Sequence, residues 1–157
     1  MVQCGGYKKV ERAPQNLIVD ASVVAKWFVP EEDSDKAVKL RNRHVEGAIT
    51  LMAPDLIVYE VVNALTYHPE VSDETLREDI EALFMVDLDL VPPSTEFIAS
   101  AADRARRLAV SIYDSSYLVL AEITATNLVT ADKKLYDKVK DTRRVLLLEE
   151  LDRKWTV

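Results

Sequence analysis

The stretch NLIVDASVVAKWF, residues 16–28, places one aspartate between two apolar segments. Leu17 to Val19 is a continuous apolar run rich in β-branched residues, which predicts a short strand buried on both faces. Ala21 to Val29 predicts a brief apolar helix that ends at Pro30. Asp20 therefore lies directly after a strand, where an acid either caps the next helix or belongs to a functional site.

The same alternation of short apolar strands and helices continues along the chain. Further strands are predicted at 49–53, 88–91, 128–130 and 145–148. Further helices are predicted at about 31–44, 55–67, from 72 past 84, 94–108, 113–124 and 133–139. This order predicts an α/β fold in which helices cover both faces of a parallel sheet. Ligands of such sheets bind beyond the carboxyl ends of the strands, which directs attention to the residues that follow each strand.

Length and composition predict one domain over residues 16–157, preceded by a flexible extension at residues 1–15 that lacks the apolar core of a signal peptide. No apolar run reaches the roughly 20 residues that span a bilayer. Cys4 is the only cysteine, so no internal disulfide or thiolate cluster is expected, and a cytoplasmic location is predicted. The net charge of −7 argues against broad binding to nucleic acids but allows an enzyme that meets phosphate through metal ions.

Four acids stand at positions where a functional role competes with a structural one. Asp20 could cap the helix at 21, although Ser22 offers a competing cap. Glu60 lies among apolar neighbours on its helix, where burying an unpaired charge is costly. It is therefore expected to form a salt bridge, to lie on a narrow solvent-facing stripe or to belong to a functional site. Asp114 could complement a helix dipole in the first turn, and Asp132 could cap the helix at 133.

Together, these acids would meet at one edge of the sheet. Clustered carboxylates repel one another and need a compensating positive charge. Without cysteine ligands, and with only two histidines, oxygen-bound Mg²⁺ or Mn²⁺ fits the available donors better than zinc. His44 at a helix end and His68 before a proline are both interpreted as structural residues.

Four segments of the chain follow one another in a characteristic order and spacing: LIVDASVVAKWF, APDLIVYEVVNAL, IYDSSYLVLAE and NLVTADKKL. In these segments the chain resembles the PIN-domain nucleases, in particular the VapC-type toxins of prokaryotic toxin–antitoxin pairs. The resemblance covers residues 16 to about 148. It implies a three-layer α/β/α sandwich and an Mg²⁺- or Mn²⁺-dependent ribonuclease.

The family's site residues carry over to this chain position by position. Ser22, Asn63 and Thr130 match the small polar residues that support the acids. Asp20 and Asp114 would be the principal metal ligands. Glu60 would ligate the metal directly or through water and help to deprotonate the attacking water. Asp132 would complete the set of metal-binding and catalytic acids.

The resemblance also implies a homodimer, an RNA substrate and an antitoxin protein whose apolar segment covers a groove near the site. Trp27, Phe28 and Val29 are candidates for that groove, with a plain core role as the alternative. RNA guidance is assigned to six cations, most of which are expected to be ordinary solvated helix residues: Lys26, Arg104, Arg106, Arg107, Lys133 and Lys134.

Two other functions compete with the nuclease. A phosphoryl-transfer domain would use Asp20 as a covalent acceptor. The haloacid-dehalogenase type needs a second aspartate where this chain has Ser22, and a receiver domain needs an early acidic pair that is not visible. A PIN-like domain could also serve as a non-catalytic binding or scaffold module, although four intact acids argue against it.

Overall fold

The computed structural model describes residues 15–157, and its centre is a five-stranded parallel sheet. The strand order is β3-β2-β1-β4-β5, so β1 is central. The predicted strands are confirmed to within one or two residues at their ends. They are β1 (Gln15–Val19), β2 (Ile49–Pro54), β3 (Asp89–Val91), β4 (Asn127–Thr130) and β5 (Val145–Leu147).

Seven helices of residues 15–157 flank the sheet, and the predicted three-layer α/β/α arrangement is confirmed. Short 3₁₀ turns follow the first and last helices and β5, at Ala25–Trp27, Lys140–Thr142 and Leu148–Glu150. The helices are α1 (Ala21–Val24), α2 (Ser34–Val45), α3 (Ile57–Thr66), α4 (Asp73–Met85), α5 (Thr95–Leu108), α6 (Ile112–Ile123) and α7 (Lys133–Val139). In the part of the chain that the structure describes, none of them is long and apolar enough to cross a membrane.

The core is built around β1, whose residues Leu17, Ile18 and Val19 are fully buried. Continuous apolar side chains suit this strand because β2 and β4 pair with both its edges and helices cover both its faces. The strand order reverses between β1 and β4, since β2 and β3 lie on one side of β1 and β4 and β5 on the other. That junction is where ligands of open α/β sheets bind, and Asp20 follows β1 at this point.

The predicted boundaries of the first two helices need correction. The helix predicted at 21–29 ends after one turn and tightens into the 3₁₀ turn, because the amides of Phe28 and Val29 both donate to the carbonyl of Ala25 before Pro30 stops the chain. The helix predicted from 31 begins only at Ser34, after a residue in the left-handed conformation.

The sequence also predicts that Asp55 caps the helix at 55–67 and that Val45 and Phe84 belong to the apolar stripes of their helices, and the structure differs at all three positions. Asp55 does not cap α3, because its own amide donates to the carbonyl of Val91 and the helix begins after Leu56 without a side-chain cap. Val45 is 67% exposed, since it is the last residue of α2 and lies beyond the buried stripe. Phe84 is 61% exposed on α4, where Leu83 takes the buried position.

The predicted extension at residues 1–15 lies almost entirely outside the described residues. Gln15, its last member, already belongs to β1 and pairs with Ile49 of β2. The first strand therefore includes one residue of the predicted extension.

Replacing a fully buried residue of β1 tests the packing. We expect Leu17→Ala to lower the free energy of unfolding by about 2–5 kcal/mol, because the cavity between sheet and helices cannot collapse fully. Val45→Ala, at an exposed position, serves as the control and should change it by less than about 0.5 kcal/mol. Urea denaturation measures both. Equal effects of the two substitutions would contradict the assignment of β1 as the centre of the core.

Candidate metal centre

Asp20 is both a helix cap and a buried acid. Its Oδ1 atom accepts hydrogen bonds from the amides of Ser22 (3.1 Å) and Val23 (3.3 Å) and from the Ser22 hydroxyl. Only 5% of the residue is exposed. Burial raises the pKa of this carboxyl to about 6 against the opposing effect of its hydrogen bonds, and the nearby charge of Glu60 raises it further. The structural and functional interpretations of Asp20 are therefore compatible.

Two hydroxyl groups join the end of β1 to the end of β4. The Ser22 hydroxyl accepts a hydrogen bond from the amide of Ala131 at 2.9 Å and lies 3.4 Å from the Thr130 hydroxyl. The Thr130 hydroxyl accepts a hydrogen bond from the amide of Asp132 at 3.0 Å. Hydrogen bonds from Ser22 and Thr130 both lower the pKa of Asp20. These two predicted supporting residues thus contact the acid that they were expected to support.

Glu60 lies half-buried on α3 and accepts a hydrogen bond from the hydroxyl of Tyr117 on α6. Within residues 15–157 no lysine or arginine pairs with Glu60, so the salt bridge that would explain it structurally is absent. Burial raises its pKa, the Tyr117 hydrogen bond lowers it, and the charge of Asp114 raises it again. Burial and the carboxylate of Glu60 in turn raise the pKa of Tyr117.

The sequence interpretation missed Tyr117. Its ring is 1% exposed, and its hydroxyl reaches an acid 57 positions earlier in the chain. One local signal was available, since Tyr117 stands three residues after Asp114 and so shares a helix face with it.

Asp114 lies in the first turn of α6, as predicted, and its amide donates to the hydroxyl of the N-cap residue Ser111 at 3.0 Å. Its charge acts on Glu60, and the charge of Glu60 acts on Asp20. Repulsion therefore acts between Asp114 and Glu60 and between Glu60 and Asp20.

Asp132 is more separate from the other acids. Its Oδ1 atom caps α7 by accepting the amides of Lys134 (2.8 Å) and Leu135 (3.1 Å), and its side chain is exposed. Its charge does not contribute to the raised pKa of Asp20 or of Glu60. Asp132 nevertheless faces the same open cleft as Glu60.

That cleft, which we call the acid cleft, has a volume of about 520 Å³. It lies between α1, α3 and the start of α7, beyond the carboxyl ends of β1 and β4. Its polar lining combines predicted site residues with an ion pair: Ser22, Lys26, Glu31, Glu60, Asn63 and Asp132.

The donor set fits a hard divalent cation by its chemistry. It consists of carboxylate and hydroxyl oxygens, and in the described part of the chain none of the four acids pairs with a lysine or arginine side chain. As arranged here, however, no three His, Cys, Asp or Glu side chains of residues 15–157 lie close enough together to hold a metal ion. Of the four acids, Glu60 and Asp132 line the acid cleft, whereas Asp20 and Asp114 are not among its lining residues, so the four carboxylates do not converge on one point.

Both histidines accept hydrogen bonds from backbone amides. The Nδ1 atom of His44 accepts the amide of Leu51 at 3.1 Å, so this residue ties α2 to β2. The Nδ1 atom of His68 accepts the amide of Glu70 at 3.2 Å within a turn.

The apolar groove predicted at residues 27–29 and the set of cations assigned to RNA are each only partly present. Trp27 and Val29 are buried, and the Trp27 indole donates to the carbonyl of Ala37 at 2.9 Å, so the core role holds for them. Phe28 remains half-buried. Of the six cations assigned to RNA, Lys26 lines the acid cleft, whereas Lys133 and two arginines of α5 form ion pairs elsewhere.

Because the pKa of Asp20 is raised, we expect that replacing it with a neutral residue stabilises the protein by an amount that depends on pH. Asp20 has a pKa of about 6 in the folded protein and 3.8 in the unfolded chain, so its contribution to stability falls as the pH rises from about 4 to about 6. In metal-free buffer above about pH 7, Asp20→Asn should therefore raise the free energy of unfolding, by up to about 3 kcal/mol, while asparagine keeps the cap. The gain should vanish near pH 4. Urea denaturation across this range would contradict the prediction if the variant were less stable throughout.

Three comparisons with known proteins agree on the relationship of this chain. The model of the PIN domain family matches residues 17–141. Ribonuclease VapC3 of Pyrobaculum aerophilum is 37% identical over 128 residues, which cover 78% of this chain and 93% of that protein. The crystal structure of PAE2754 from Pyrobaculum aerophilum shares the fold, with a TM-score of 0.61 and 21% identity over 87% of this chain and 92% of the other. The chain therefore belongs to the PIN-domain family and, within it, to the VapC type.

Proposed function

We propose that this protein is a metal-dependent endoribonuclease, the toxin of a toxin–antitoxin pair, that hydrolyses RNA phosphodiester bonds in the acid cleft. The observation that carries the proposal is Asp20, a buried acid at the carboxyl end of the central strand whose pKa is raised and which forms no ion pair with a cation of residues 15–157. Glu60 and Asp114 add charge of the same sign. The 37% identical relative that bears the name of a ribonuclease supports the same activity.

The cofactor in this proposal is Mg²⁺ or Mn²⁺, held chiefly by Asp20 and Asp114. When bound, such an ion lowers the pKa of a coordinated water and offsets charge on the scissile phosphate. Glu60 would ligate the ion directly or through water and would take up the proton of the attacking water, while Asp132 would complete the site from the α7 side.

The supporting residues orient these acids. Ser22 and Thr130 hold Asp20 by hydrogen bonds, Asn63 lines the cleft one turn after Glu60, and Tyr117 holds the Glu60 carboxylate. Such partners of metal ligands keep the ligands in the orientation that binding requires.

The proposed partners are the RNA substrate, an antitoxin protein and a second copy of the chain in a homodimer, with action in the cytoplasm. An exposed apolar surface along α3 and α4 supports a protein partner of some kind. It includes four large side chains that are each at least 61% exposed: Tyr59, Tyr67, Phe84 and Met85.

Membership of the PIN-domain family excludes the phosphoryl-transfer alternative. The environment of Asp20 argues the same way, because a 5% exposed carboxyl with a fully engaged Oδ1 is poorly placed as a covalent acceptor. A non-catalytic binding module remains as the outcome to be tested against cleavage.

Cleavage of tRNA, rRNA fragments and mRNA by the purified protein, with Mn²⁺, Mg²⁺ or EDTA, tests the proposal. We expect metal-dependent cleavage that Asp114→Asn reduces by at least about a hundredfold, since it removes a principal ligand. Asp73→Asn is the matched control, because Asp73 lies in the first turn of α4 as Asp114 does in α6. Identical cleavage by the natural protein and Asp114→Asn would identify a contaminant. Metal binding without any cleavage would favour the binding module.

Removing one hydroxyl tests the support of Glu60. Tyr117→Phe keeps the buried ring but leaves the Glu60 carboxylate without its donor, so we expect the cleavage rate to fall by roughly 10–100-fold. Tyr136→Phe on α7 is the control. Single-turnover cleavage and circular dichroism would be measured together. A folded Tyr117→Phe protein with the natural rate would show that Glu60 needs no such support.

A further inference from the structure

One ion pair stands inside the acid cleft. Lys26, in the 3₁₀ turn after α1, places its Nζ atom 3.1 Å from Oε2 of Glu31. Only 14% of the Lys26 side chain is exposed, compared with 46% of Glu31. Both residues line the cleft with Glu60 and Asp132. A cation is thus fixed among acids that would bind metal.

Lys26 is set in place by the same segment that supplies Asp20. The residues between them form α1 and the start of the 3₁₀ turn, and Val23 and Val24 of that segment are fully buried. The lysine stem is therefore covered while its ammonium group reaches the cleft, as is usual for lysines on apolar surfaces. A rigid cation beside a set of carboxylates is suited to hold a phosphate group of a substrate that those carboxylates act on.

Glu31 competes for this cation. Besides the contact with Lys26, its other oxygen lies 3.8 Å from Nε2 of His68. The Glu31 side chain is about half exposed, so water screens its attraction to Lys26 and can replace it at the pair. An incoming phosphate can therefore displace Glu31 from Lys26 without disturbing the fold.

We propose that Lys26 binds a phosphate of the RNA backbone in the acid cleft and that Glu31 occupies Lys26 in the free protein, so that RNA must displace it. The inference rests on the proposed function in taking RNA as the substrate. In this ion pair Lys26 provides the phosphate contact, and Glu31 competes with the phosphate and so weakens RNA binding.

The test measures binding of a fluorescein-labelled single-stranded RNA of mixed sequence by fluorescence anisotropy, with every variant made in Asp114→Asn so that the RNA stays intact. We expect Lys26→Met to weaken binding roughly fivefold near 0.1 M salt and to reduce the salt slope by about 0.7, the effect of losing one phosphate contact. Lys26→Arg should retain binding, which separates the role of the charge from a loss of folding.

For Glu31→Gln we expect the opposite effect on RNA binding, which tests the competition directly. We expect it to strengthen binding by up to about fivefold, the range for an exposed ion pair. Glu32→Gln is the matched control, because it removes the same charge from the next residue, which forms no ion pair in the described part of the chain. The gain from Glu31→Gln should disappear when Lys26→Met is present.

Equal gains from Glu31→Gln and Glu32→Gln, or a gain that persists beside Lys26→Met, would overturn the competition and leave a general charge effect. Unchanged binding by Lys26→Met would overturn the phosphate contact while leaving the nuclease intact. If the parent Asp114→Asn protein does not bind the RNA and the natural protein does not cleave it, the proposed function itself fails, and the inference fails with it.

Discussion

Burial of the Asp20 carboxyl at the end of the central strand is the constraint on which the site depends. The strand is apolar because the sheet is covered on both faces, so an acid directly after it cannot reach bulk water freely. Helix amides and hydroxyl groups compensate in part, but the pKa is still raised to about 6. At neutral pH the fold thus holds a negative charge that Glu60 opposes further, as Asp114 opposes the charge of Glu60, and a bound divalent cation would offset this repulsion.

Capping and site chemistry are combined in the same residues rather than being alternatives. Asp20 caps α1 and Asp132 caps α7, so each carboxylate is oriented by amides of the helix that follows its strand. Because β1 and β4 are neighbours, the two helix starts lie side by side at the point where the strand order reverses. This geometry explains why acids that look like ordinary caps in the sequence also lie at a candidate metal centre.

The strands, most helices and the positions of Asp20, Asp114 and Asp132 at helix starts could be predicted because each leaves a local pattern. Apolar runs such as 17–19 mark buried strands, and Ser72 and Ser94 mark helix starts. Contacts between distant segments could not be predicted, since nothing local encodes the Tyr117–Glu60 hydrogen bond. The shortened α1 also escaped prediction, because its end depends on bonds to one carbonyl rather than on residue type.

Calorimetric titration of Mn²⁺ into metal-free protein, in two buffers of different ionisation enthalpy, tests the metal centre most directly. At pH 6, near the pKa of Asp20, we predict saturable binding that releases about half a proton from this carboxyl, because ligation requires its ionised form. Asp20→Asn should lose both the binding and the proton release. The absence of saturable heat from the natural protein would contradict the metal centre, and undiminished binding by Asp20→Asn would place it elsewhere.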